Sequence, residues 1–147
     1  MSSRLAIVDK FNSEYWRSFW QRFLSRITSK CMDLYAFADY INQHHVTGRH
    51  DGGVQLVNIN DIVGSVGRVH DFDRAFRPRR REIRSRWVSV KYASDKGTIM
   101  PPVTLYKVGE VYFVVDGHLR LSVARADGQY YVDAYVNVFD TACACCA

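Results

Sequence analysis

Between residues 103 and 124 the sequence leaves little freedom of local structure. Residues 103–108 and 111–115 are rich in valine and aromatics, with Leu105 beside Tyr106 and Tyr112 beside Phe113, and Gly109-Glu110 separates them. Two such runs around a glycine turn read as a β-hairpin. The second run passes through Asp116-Gly117 into Leu119, Val123 and Ala124 at helical spacing, and Gly128 stops the helix. A strand entering a helix through one glycine leaves backbone N–H groups converging on one point, where the helix dipole favours negative charge. Gly117 lets an anion approach the backbone, and His118 and Arg120 add donors from the first turn. The segment reads equally as a phosphate or carboxylate cradle and as a structural turn.

The rest of the chain places this segment in a mixed α/β domain. Over residues 12–27, Trp16, Phe19, Trp20, Phe23, Leu24 and Ile27 recur at helical spacing, with Arg17, Arg22 and Arg26 on the other side. A second helix is expected over residues 33–43, then a polar loop over 44–53. A strand follows from Val54, leading to a Gly64-Ser65-Val66-Gly67 turn. Pro78 suits a helix start, and Ile83, Trp87 and Val90 give a helix over 79–93 its buried face. A last strand covers 131–139. The expected division is an N-terminal helical arm over 1–53, a domain over 54–140 and a flexible cysteine-rich tail over 141–147.

The net charge of +5 is concentrated in one stretch. Between Arg68 and Arg86 eight arginines face only Asp71, Asp73 and Glu82, and the remainder of the chain balances. On a helix, Arg77, Arg80, Arg81, Arg84 and Lys91 gather on one flank, as a polyanion site requires; a solvated face is the alternative.

At 147 residues and 48% hydrophobic, the chain suits one packed domain rather than a disordered one. It has no apolar run of membrane-spanning length and no secretory leader pattern, so a cytoplasmic domain without membrane contact is expected. Cys31 is isolated, while Cys143, Cys145 and Cys146 crowd the terminus, a spacing that suits free thiols better than a disulfide framework.

Residues 57–139 resemble the N-terminal domain of the ParB/sulfiredoxin superfamily. The pattern is an opening strand at 57–62, Arg68 on the loop after it, and a helix ending Gly97-Thr98-Ile99-Met100-Pro101. A hairpin follows, then the box Gly117-His118-Leu119-Arg120 with Ala124 and Gly128. The resemblance implies a small mixed sheet with packed helices. It implies phosphate contacts from Arg68, Gly117, His118 and Arg120, and CTP or ATP with Mg2+ as the bound group. ParB proteins bind and hydrolyse CTP as clamps on DNA; related members include sulfiredoxins, free-serine kinases and domains assigned as nucleases.

The departures from the pattern shape the expectation. ParB proteins usually carry Glu-Arg where this chain has His118-Leu119, so Leu119 removes a donor, which weakens catalysis more than binding. Sulfiredoxins need a cysteine directly after the box glycine, where His118 stands, so sulfiredoxin chemistry is not expected. The chain ends soon after its last strand, without the helix-turn-helix that reads a ParB site. The resulting expectation is a regulatory ParB-like domain that binds nucleotide phosphates and associates with DNA without reading bases, using Arg77, Arg80, Arg81, Arg84 and Lys91. The alternatives are a phosphotransferase or nuclease using Asp116 with a divalent metal, and a silent interaction module docking, or forming a homodimer, through Trp16 and Trp20.

Other candidates are weaker. His44, His45, His50 and Asp51 have no diagnostic ligand spacing and read as a polar loop. Asp116 reads as a helix cap or as a base, and Ser65 as a turn residue or a phosphate donor. The stripe of Trp16, Phe19, Trp20 and Phe23 reads as core or as a docking face.

Overall fold

The hairpin expected over residues 103–115 forms the middle of a six-stranded sheet. In the computed structural model, which describes residues 3–28 and 33–142, β4 (Val103–Val108) and β5 (Val111–Asp116) pair antiparallel. On its outer side β5 runs parallel to β3 (Ile62–Ser65), which runs parallel to the two-residue β1 (Tyr35–Ala36). On the other side β4 runs parallel to β6 (Tyr131–Thr141), and β6 pairs antiparallel with β2 (Val46–Asn58). The strand order is β1-β3-β5-β4-β6-β2. Among the described residues four α-helices, α1 (Arg4–Thr28), α2 (Phe37–Ile41), α3 (Arg84–Asp95) and α4 (His118–Ala126), complete a mixed α/β architecture.

Strand alternation divides the sheet into two faces. Leu105, Val114, Ala134 and Val136 share the main core with Trp87 of α3, Leu121 and Val123 of α4, and Ile7 and Phe11 of α1. Trp87 is fully buried and donates its Nε1–H to Ser122 Oγ at 2.9 Å, which satisfies the indole inside the core. Phe37 of α2 covers the opposite face, against Tyr106, Phe113 and Phe139. Lys10, Lys91 and Asp127 join α1, α3 and the end of α4 by ion pairs.

Four local expectations need correction. Residues 33–43 are not one helix, because Tyr35 and Ala36 pair with Gly64 and Ser65 before α2 begins. The approach depends on Gly64, where a Cβ would collide with the backbone carbonyl of Tyr35 on one side and with the Phe113 ring on the other. The stretch over 44–53 is not a loop; most of it is strand, because the long β6 supplies backbone partners despite poor β-forming residues, with Gly52 and Gly53 at a bulge. The helix expected from residue 79 begins at Arg84, after a 3₁₀ turn at Arg81–Ile83. A Phe72–Pro78 bridge, and Asp73 Oδ1 accepting from Ala75 N and Arg77 N, hold the preceding segment in an irregular turn. Finally, the aromatic stripe is not core. Trp16, Phe19, Trp20 and Phe23 are 46%, 42%, 56% and 51% exposed, while Ile7, Phe11 and Ser18 face inward.

The sheet draws on both sides of residue 53, since β1 and part of β2 precede it. Thr141 belongs to β6, and Ala142 N donates to His45 O. Cys31, Cys143, Cys145 and Cys146 lie outside the described residues.

Candidate anion site

Gly117 turns the chain from β5 into α4 with φ +99°, in the left-handed region. It is the helix N-cap, and no side chain caps the helix, so the first-turn amides have no intrahelical acceptor. Val103 packs so close that a Cβ at Gly117 would stand 2.6 Å from its Cγ1. Asp116 does not act as the cap: its carboxylate is exposed and accepts from Arg120 Nη2 at 3.0 Å. Arg120 also donates through Nη1 to Pro101 O at 2.7 Å and Pro102 O at 3.3 Å. The guanidinium thus staples the segment before β4 to the first turn of α4.

His118 opens the helix from a buried position. Its Nε2 lies 2.6 Å from Ser65 Oγ at the end of β3. The same oxygen accepts from Arg68 N at 3.0 Å and Gly67 N at 3.3 Å, so one hydroxyl fixes the loop after β3 against α4. The Phe72 ring lies parallel to the imidazole at 16° with centroids 6.1 Å apart, and the Arg68 guanidinium sits over Phe72. Burial first, and the Arg68 charge second, lower the His118 pKa from its ordinary 6.5 to about 4, against the smaller pull of Asp116 and Asp71. At neutral pH the ring is uncharged.

These elements border a cleft of about 500 Å³. Arg68, Asp116, Gly117, His118 and Arg120, all singled out in the sequence, line it together. Val66, Val90, Met100, Val115 and Leu119 add an apolar wall. The volume and the mixture of apolar wall and few polar groups suit a small ligand. Arg68 donates to Asp71 at 2.7 Å and Arg120 is held by Asp116, whereas Arg86, which also lines the cleft, has no ion pair among the described residues. Sequence reasoning left Arg86 out of both the basic flank and the candidate phosphate contacts, and so missed it here. Its position 18 residues after Arg68 carries no motif, and Arg86 comes to the cleft only because α3 packs against α4.

The five residues expected to share one basic flank do not. Arg77 lies in the irregular turn 4.0 Å from Asp73, and Arg80 pairs with Asp71 at 3.4 Å. Arg81 stacks over Tyr15, and Arg84 is exposed at the start of α3. Lys91 is buried and paired with Asp95 and Asp127; burial lowers its pKa, but the two carboxylates outweigh that and hold it above the usual lysine value. Of these five, Arg80, Arg81 and Arg84 are therefore the exposed ones. In the N-terminal region, His44 Nδ1 bonds Tyr40 O at 2.8 Å and His50 pairs with Asp140. Among the described residues no three His, Cys, Asp or Glu side chains come together as metal ligands, and no helix is long and apolar enough to cross a membrane.

Fold and site together define a mixed α/β domain with a cleft at an uncapped helix N-terminus. The sequence matches no known family and no curated protein. Among solved structures it is similar to the crystal structure of sulfiredoxin from Arabidopsis thaliana, with 11% identity, a TM-score of 0.43, and coverage of 56% of this chain and 82% of that one.

Proposed function

We propose that this chain is a regulatory domain that binds nucleotide phosphates and associates with DNA through backbone contacts. The observation that carries the reading is the cleft itself. The uncapped start of α4, the neutral imidazole of His118 and Arg86, which has no ion pair among the described residues, border one space, with an apolar wall beside them. A phosphate chain fits the amide and arginine side, and a base or sugar fits the wall. CTP or ATP with Mg2+ is the expected class of ligand. Leu119, where ParB-like boxes carry a polar donor, lies on the apolar wall and favours binding over turnover. The exposed Arg80, Arg81 and Arg84 supply the DNA contact, which is electrostatic and indifferent to sequence.

Calorimetric titration with CTP, ATP and ADP, each with magnesium, tests the cleft. Binding that falls at least tenfold in Arg86→Ala supports it, since a hydrogen bond to a charged group is worth about that much. No heat with any of the three overturns it. For DNA, steeply salt-dependent binding that weakens in an Arg80→Ala/Arg81→Ala/Arg84→Ala variant is the supporting result.

The exposed aromatic ladder on α1 favours one additional reading, association of two copies through Trp16 and Trp20. Successive edge-to-face contacts from Tyr15 through Phe23 make this face rigid before any partner arrives. Sedimentation of a dimer that dissociates in Trp16→Ser/Trp20→Ser supports it, and a monomer throughout overturns it.

A further inference from the structure

We infer that Ser65 is a positioning residue whose hydroxyl locks His118 as a neutral Nδ1–H donor at the cleft. The assignment follows from the capacity of one hydroxyl, which has two lone pairs and one proton. Ser65 Oγ accepts from the backbone N–H groups of Gly67 and Arg68. With both lone pairs engaged, the 2.6 Å contact to His118 Nε2 uses the hydroxyl proton. Nε2 is then the acceptor, and the proton of the neutral ring sits on Nδ1.

The opposite arrangement is costly. An Nε2–H aimed at Oγ brings three donors onto one oxygen and strands the hydroxyl proton of a fully buried serine. The parallel Phe72 ring fixes the plane of the imidazole, so the tautomer also fixes a direction. Among the described residues Nδ1 has no hydrogen bond, and the imidazole borders the cleft.

Burial separates this pair from a working nucleophilic dyad. Ser65 is fully buried, does not line the cleft, and has both lone pairs engaged by backbone N–H groups. Its work is done through His118 and through the backbone of Arg68. The cleft receives a donor of fixed direction without a second charge beside Arg68, which suits an uncharged or shared phosphate oxygen. That role at the cleft rests on the phosphate-binding reading above; the tautomer does not.

The test is the 15N signature of the His118 ring in the full chain at neutral pH, assigned by its disappearance in His118→Gln. The expected pattern is a protonated Nδ1 and an unprotonated Nε2. Ser65→Ala loses the preference for that tautomer, and Ser65→Thr, which keeps the hydroxyl, restores it. A wild-type ring protonated on Nε2 overturns the inference, as does a Ser65→Ala ring identical to wild type. If Ser65→Ala does not fold, the wild-type pattern decides alone. Inorganic phosphate and CTP form the second arm. They should shift the Nδ1 signal, with affinity about tenfold weaker in Ser65→Ala. A wild-type ring with the expected tautomer that ignores both ligands overturns the phosphate-binding reading and leaves the role of Ser65 toward His118 standing.

Discussion

Phe11 of α1 meets Trp87 of α3 edge to face, with ring centroids 5.6 Å apart and planes at 65°. Both side chains are buried, and this contact anchors the first half of α1 to the domain. Phe11→Ala should cost about 3–5 kcal/mol, as aromatic truncations in packed cores do. Urea denaturation measures the loss. Tryptophan quenching reports its location: in wild type Trp87 is shielded while Trp16 and Trp20 quench freely, and in the variant Trp87 becomes accessible.

Gly117→Ala should be destabilising by about 2–4 kcal/mol, combining left-handed strain with overpacking. The backbone sits at φ +99° and the new methyl meets Val103. Gly97→Ala provides the comparison. Gly97 also has a positive φ, but its methyl meets nothing within 4 Å, so the cost should stay at about 1–2 kcal/mol. Equal losses in the two variants would contradict the tight Val103 contact.

Acid should weaken the fold through His118. Its pKa is 6.5 when unperturbed and about 4 in the folded protein. As pH falls between these values the unfolded chain takes up the proton first, so the stability present above pH 6.5 is progressively lost. At pH 4.5 the loss from this one group is about 2–3 kcal/mol. In His118→Gln the decline in unfolding free energy from neutral to acid should be shallower by that amount.

Asp73 holds the turn before α3. Burial pushes its carboxyl above the ordinary value of 3.8, against the opposing Arg77 and Ala75 amides and the Arg77 and Arg79 charges. Its Oδ2 is buried without a hydrogen bond. Asp73→Ala removes the acceptor of two backbone amides and should cost about 2–3 kcal/mol. Asp73→Asn keeps one acceptor oxygen and sheds the buried charge, so it should retain most of the stability. Urea midpoints of the two variants at neutral pH check the difference.

The hairpin, the glycine entry into α4 and the last strand were legible because each depends on local alternation and turn chemistry. Arg68, His118 and Arg120 could be named from one short box and the loop before it. What the sequence hid depends on partners distant along the chain. Residues 44–53 have the composition of a loop and become strand only because β6 offers a ladder. Trp16 and Trp20 have the spacing of a core face, but the pattern does not reveal that the core uses Ile7, Phe11 and Ser18 instead. Arg86 reaches the site through the packing of α3, the Ser65–His118 contact joins residues 53 positions apart, and Lys91 leaves the basic surface because Asp127 draws it inward.

The outermost strand, β2, has a bearing on how the protein behaves in concentrated solution. It is 13 residues long, lies at the sheet margin, and exposes Val54 and Leu56. A straight apolar strand in that place invites other chains to extend the ladder and build aggregates. The bulges at Val46/Gly48 and Asp51/Val54 break it into short runs that an incoming strand cannot follow in register. At Gly52 a Cβ would press within 3.0 Å of Val136 O, so the break depends on a residue without a side chain. That small gap in the ladder serves to keep neighbouring molecules apart.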